Sequence, residues 1–177
     1  KTEALIWLVK TFTANEQFNE AQAVLDYIAV ENTFIKNYDR EKELVHADLL
    51  IKQNLYSEAI PHILEALENY KSNKKKSRLR FVLAQLFEQT GNKASAVTYY
   101  KKSTKGNNNY DMVFNAKLKS LKLSNRKKDA DDNDRMLAKL IRDSKNVDYL
   151  DQLYYERALI AQSKFKTDLA KEYLTKS

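Results

Sequence analysis

An alanine recurs along this chain at a near-constant interval. Ala21, Ala59, Ala96 and Ala170 are 38, 37 and 74 residues apart, and 74 is twice 37. Each stands early in a segment of helical periodicity, with a large apolar residue four positions on: Leu25, Ile63, Tyr100 and Leu174. Phe18, Tyr56 and Phe165 precede three of the alanines, and Ile28, Ala66 and Ser103 extend the same faces. Ahead of each alanine lies a second apolar-periodic segment. These hold Leu5, Leu8 and Phe12; Ala47 and Leu50; Leu83, Ala84 and Phe87; and Tyr154, Ala158 and Ala161. Short polar turns near Asn15, Gln53-Asn54 and Thr90-Gly91-Asn92 separate the paired segments. Self-similarity at a fixed period is the signature of a stacked repeat. Two helices that cross closely need small side chains where they touch, so Ala47, Ala84 and Ala158 are expected to face Ala59, Ala96 and Ala170.

The doubled interval predicts one degenerate repeat. Its first helix is expected over Asp111–Leu123, with Met112, Ala116 and Leu121 inward. Its second is expected over Arg135–Arg142, with Leu137, Leu140 and Ile141 inward. The charged stretch Ser124–Asp134 reads as a longer joining loop. The chain is therefore expected to be an all-α solenoid of about five helix-turn-helix repeats, about ten helices, forming a single domain. The repeats fall at about residues 3–30, 40–70, 77–105, 110–144 and 148–177.

Composition agrees. With 2 Gly and 1 Pro in 177 residues, the chain lacks the turn residues of an all-β domain. There is no Cys, which excludes disulfides, thiolate metal sites and a cysteine nucleophile. No apolar run approaches the length needed to cross a membrane as a helix. The chain opens at Lys1 and closes at Ser177 within helical pattern, and reads as an excised piece of a longer protein.

The alternation of aliphatic, small and bulky residues resembles the tetratricopeptide repeat (TPR), most clearly over L-A-Q-L-F-E-Q-T-G-N-K-A-S-A-V-T-Y-Y, Leu83–Tyr100. The usual Trp of the first helix and the Pro between repeats are missing, and the period exceeds the common 34 residues. More narrowly, the order A-D-L-L-I-K-Q-N-L-Y-S-E-A-I-P-H-I-L-E-A-L, R-L-R-F-V-L-A-Q-L-F and N-Y-D-M-V-F-N-A-K-L, within Glu41–Leu123, resembles the SprE/PorW group of TPR lipoproteins from Bacteroidota. That group belongs to the type 9 secretion and gliding-motility apparatus. The resemblance implies a scaffold on the periplasmic side of the outer membrane with secretion-machinery proteins as partners. Its lipidated cysteine would lie outside this chain. A cytoplasmic location is the alternative.

The TPR resemblance also implies a concave groove lined by first helices. Here that face would include Leu44, Asp48 and Ile51, then Arg78, Phe81, Gln85 and Glu88, then Tyr155, Leu159 and Gln162. TPR chaperone adaptors hold a terminal carboxylate with Lys and Asn on this face. Phe81 and Gln85 stand where those residues would be, so no such clamp is expected. The mixed aromatic, aliphatic and singly charged side chains suit a protein surface.

No glycine-rich phosphate loop is possible, because Gly91 and Gly106 are isolated. The two histidines, His46 and His62, lack an i,i+4 partner, and a metal site with Asp48 and Glu65 is the weaker reading beside ordinary structural histidines. The acidic residues interleave with Lys as on solvated helix faces. No catalytic constellation, cofactor site or small-molecule substrate is expected. The net charge of +7 comes from three basic clusters: Lys71–Arg80; Lys101, Lys102 and Lys105; and Lys117, Lys119, Lys122, Arg126, Lys127 and Lys128. These read as solvated linkers. A nucleic-acid or anionic-surface binder is the alternative. Against it, no aromatics interleave with the lysines for base stacking, and Asp129, Asp131, Asp132 and Asp134 follow directly on the last cluster.

Overall fold

The computed structural model describes residues 1–30, 38–68, 70–106, 109–124 and 129–177. Among these residues ten α-helices form and strands are absent. They are α1 (Thr2–Ala14), α2 (Phe18–Val30), α3 (Asp39–Lys52), α4 (Tyr56–Glu68), α5 (Asn73–Gln89), α6 (Lys93–Ser103), α7 (Tyr110–Leu123), α8 (Ala130–Arg142), α9 (Leu150–Ser163) and α10 (Thr167–Lys176). A short 3-10 segment, Ser144–Tyr149, precedes α9. The protein is an all-α helical repeat solenoid, as the spacing predicts.

The period is written into the backbone. Glu16, Asn54, Gly91 and Phe165 all have positive φ, at 60°, 62°, 77° and 59°. They sit at the same point of the turn between paired helices. At Glu16, Asn54 and Phe165 the next amide reaches back five residues and the residue's own amide reaches back three. For Asn54 these are Leu55 N to Leu50 O at 2.9 Å and Asn54 N to Ile51 O at 3.0 Å. This is the Schellman arrangement, which satisfies the last carbonyls of the first helix. The second helices then open on one repeated bond, from Ala21, Ala59, Ala96, Asn133 and Ala170 to the carbonyls of Gln17, Leu55, Asn92, Asp129 and Lys166, each at 2.9–3.1 Å.

Asn133 therefore occupies the alanine position of the degenerate repeat. It is buried, and its side-chain amide donates to Ser124 Oγ at 2.6 Å. A buried polar group with a partner replaces the missing alanine contact. Here the structure corrects the sequence reading. The end of the stretch expected to be loop, Ala130 to Asp134, is the first turn and more of α8, which opens at Ala130 rather than Arg135. Asp131 and Asp132 lie in that first turn, where carboxylates favour the positive end of the helix dipole. Residues 125–128, with Arg126, Lys127 and Lys128, lie outside the described residues.

The contacts divide the chain into two compact units, Lys1–Ser120 and Leu121–Ser177. In the first unit α3 serves two cores. Its Val45 and Leu49 join Ile6, Val9, Ala21, Leu25 and Ile28 of the preceding hairpin. Its Ala47 and Leu50 join Ala59 and Ile63 of α4 and Leu83 and Leu86 of α5. A helix buried on two sides in this way links neighbouring repeats, and each buried Leu or Ile contributes roughly 1.5–3 kcal/mol. In the second unit Ala158, Ala161, Ala170 and Tyr173 form the core between α9 and α10.

Three inward assignments change. In α1 the buried face is Thr2, Ile6, Val9 and Thr13, and Leu8 is exposed. In α10 Tyr173 is buried while Leu174 is exposed. Phe165 is 90% exposed, because it is the left-handed turn residue rather than part of the helix face. A bulky side chain at positive φ is strained. Phe165→Gly is expected to stabilise the second unit by about 0.5–1 kcal/mol, read as a higher urea midpoint. A lower midpoint would show that the exposed ring makes stabilising contacts.

Candidate docking cleft

Lys71–Arg80, read from sequence as a linker, runs mostly within α5, whose first turn begins at Asn73. Lys and Arg are good helix formers and extend the helix upstream of its apolar pattern. The cationic run thereby gains a fixed geometry. Lys74, Arg78, Phe81, Val82 and Gln85 follow one another along about three turns of α5 and line a cleft of about 500 Å³. Asn109 and Met112 close its other side. Asn109 caps α7, its side-chain oxygen accepting from Met112 N at 2.8 Å. Gly106 has φ of 73°, and a Cβ there would meet Asn73 Cβ at 2.9 Å. Its lack of a side chain lets the chain after α6 pass against the start of α5.

Behind the cleft, Phe81 meets Tyr100 edge-on, with ring centroids 5.4 Å apart at 70°. Tyr100 is fully buried, and its hydroxyl donates to Glu88 Oε2 at 2.5 Å. Lys119 Nζ lies 3.2 Å from the same oxygen. Burial, and then the bond to Glu88, push the Tyr100 hydroxyl well above its ordinary pKa, so it stays a donor.

The sequence-selected residues separate into three places. Arg78, Phe81 and Gln85 line the cleft, with Glu88 one turn on and engaged by Tyr100 and Lys119. Leu44 and Ile51 pack against the core shared by α3, α4 and α5, and Asp48 is exposed. In the second unit Tyr155 borders a cleft of about 250 Å³ with Lys122, Asp151, Gln152 and Ser177, while Leu159 and Gln162 border one of about 220 Å³ with Leu174. Lys74, Asn109 and Met112 were not singled out as lining residues. Lys74 was hidden in a run assigned to a linker, and the other two come from the next repeat.

The histidines meet across the α3–α4 hairpin, their ring centroids 4.0 Å apart. The carboxylate that joins them is Glu43 rather than Asp48 or Glu65, with Glu43 Oε2 2.5 Å from His62 Nδ1 and Glu43 Oε1 3.2 Å from Lys42 Nζ. Among the described residues no three acidic, His or Cys side chains converge to hold a metal ion. Burial raises the pKa of Glu43, but the hydrogen bonds from His62 and Lys42 outweigh it and leave it below the usual value. Burial, and then the neighbouring His62, lower His46; Lys42 acts the same way, and Glu43 and Asp26 act in the opposite sense. A depressed folded pKa means that the unfolded chain takes up the proton first. The stabilisation is complete above pH 6.5 and is lost as pH falls through the folded value. The melting temperature is therefore expected to fall from about pH 7.5 to about 5.5, and His46→Gln should flatten that slope. An unchanged slope would remove His46 from the account.

Comparison with known proteins follows this geometry. Residues 77–110 match the family described as Tetratricopeptide repeat, a span that runs from the second turn of α5 through α6 to the first residue of α7. No curated protein matches the chain. The matched span holds Arg78, Phe81, Val82, Gln85 and Asn109 of the cleft, so the cleft of this all-α helical repeat chain lies largely on the hairpin, α5–α6, that is similar to a tetratricopeptide repeat.

Proposed function

We propose that this chain is a non-enzymatic scaffold module that docks other proteins, using the cleft on α5 as a contact surface. Tetratricopeptide repeats generally mediate protein–protein interaction, and the observation that carries the reading is the open cleft on the matched repeat, with apolar and polar side chains side by side. Within that reading we place the protein in the type 9 secretion and gliding-motility machinery, on the periplasmic side of the outer membrane and with secretion-machinery components as partners. This narrower assignment is supported by the SprE/PorW resemblance over Glu41–Leu123 alone.

The experiment is cross-linking of the protein in living cells, with a photoreactive residue at Gln85. Recovery of envelope secretion components would support the assignment. Recovery of cytoplasmic proteins alone would remove the secretion role and keep the scaffold. Adducts with nucleic acid, or none with any protein, would overturn the docking reading.

A further inference from the structure

The cleft's chemistry names the class of segment it suits, an inference that rests on the docking reading above. Lys74 and Arg78 are exposed at one end, and neither makes an ion pair among the described residues. No Asp or Glu occurs between Glu68 and Glu88, a span holding six Lys or Arg: Lys71, Lys74, Lys75, Lys76, Arg78 and Arg80. Lys75 is drawn to the Tyr70 ring, 5.7 Å from its centroid, which leaves Lys74 and Arg78 as the cations of the cleft. Asp111 is close in sequence to the far wall but does not line it. Phe81, Val82 and Met112 supply an apolar floor, and Gln85 lines the same space with an amide suited to a peptide backbone, beside Asn109, whose oxygen caps α7.

The geometry points to a peptide segment of another protein that carries a bulky apolar side chain beside at least two carboxylates. The apolar side chain sits on Phe81, Val82 and Met112, and the carboxylates sit on Lys74 and Arg78. Arg presents a planar fork that matches a carboxylate. A single-stranded nucleic acid fits less well. Phe81 is half-buried and is the one aromatic among the described lining residues, so successive bases have no run of rings to stack on. Phe81 and Gln85 also do not provide the Lys and Asn of a terminal-carboxylate clamp, so an internal acidic segment suffices.

The test is fluorescence anisotropy and amide chemical-shift mapping on the full chain with four probes. These are an acidic 12-residue peptide with a central Phe-Leu pair, the same peptide with both apolar residues replaced by Ala, a basic peptide with the Phe-Leu pair, and a 15-nucleotide single strand. The first probe is expected to bind, to shift the amides of Phe81, Gln85 and Met112, and to bind at least tenfold tighter than the other three. Lys74→Glu with Arg78→Glu is expected to weaken it at least tenfold. Lys10→Glu with Lys93→Glu, the same charge change at exposed sites on α1 and at the start of α6, should change it less than twofold. Equal binding of both acidic peptides, equal loss in both variants, or tighter binding of the oligonucleotide would overturn the inference. If the basic peptide alone maps to the cleft, the docking reading stands and the acidic assignment fails. If no peptide shifts the cleft, both fail.

Discussion

Ala96→Glu is expected to abolish the cooperative unfolding of the first unit at ordinary temperature, while Ala94→Glu leaves it unchanged. Ala96 is completely buried, and its amide makes the bond to Asn92 O that opens α6. A glutamate there places a charge and four extra heavy atoms in space that is already filled. The cost is on the order of 3–5 kcal/mol for an unpaired buried charge, which is a large part of a domain's stability. Ala94 lies two residues away on the exposed side of the same helix, where the substitution should change stability by less than about 0.5 kcal/mol. Thermal melts followed by far-ultraviolet circular dichroism separate the two variants. Equal melts would mean that the alanine periodicity does not mark a helix crossing.

Tyr100→Ala is expected to cost about 3–5 kcal/mol, and Tyr100→Phe about 1 kcal/mol. The ring is fully buried, and Phe81 leans on it edge-on. Truncation leaves a cavity behind the cleft. Removing only the hydroxyl takes one donor from Glu88, which is partly exposed and keeps Lys119 at 3.2 Å. Urea denaturation of the two variants gives the comparison. A Phe variant as unstable as the Ala variant would assign the stabilisation to the hydroxyl bond rather than to packing. The Phe variant should also leave the cleft's shape intact, since Phe81 retains its neighbour.

The pairing of helices was legible because the constraint is strict. A helix crossing tolerates a small side chain and little else, so Ala21, Ala59, Ala96 and Ala170 stand out against a background of variable surface residues. The fourth crossing was harder to read, since Asn133 solves the same problem with a hydrogen bond to Ser124, and a polar letter in a charged stretch looks like loop. Phe165 was misread for a related reason. Aromatic residues usually mark a buried face, whereas the turn geometry is fixed by the backbone bonds of Phe165 and Lys166 and accepts an exposed ring at a cost. In α1 five consecutive apolar residues, Leu5 to Val9, made the phase of the buried face ambiguous.

The cleft was half legible. Arg78, Phe81 and Gln85 follow from helical spacing on one element, which sequence shows well. Asn109 and Met112 come from the next repeat, and Lys74 depends on α5 starting at Asn73. Neither the approach of two repeats nor the extension of a helix into a lysine-rich stretch leaves a periodic mark. The histidine contact was similarly out of reach, because Glu43 and His62 are 19 residues apart and meet only once the hairpin closes.

Methyl-labelled alanine spectroscopy tests the hairpin account most directly. Nuclear Overhauser contacts are expected between the methyls of Ala47 and Ala59 and between those of Ala158 and Ala170, pairs that share a core in each unit. Their absence in a folded sample, with each methyl instead contacting unrelated segments, would contradict it.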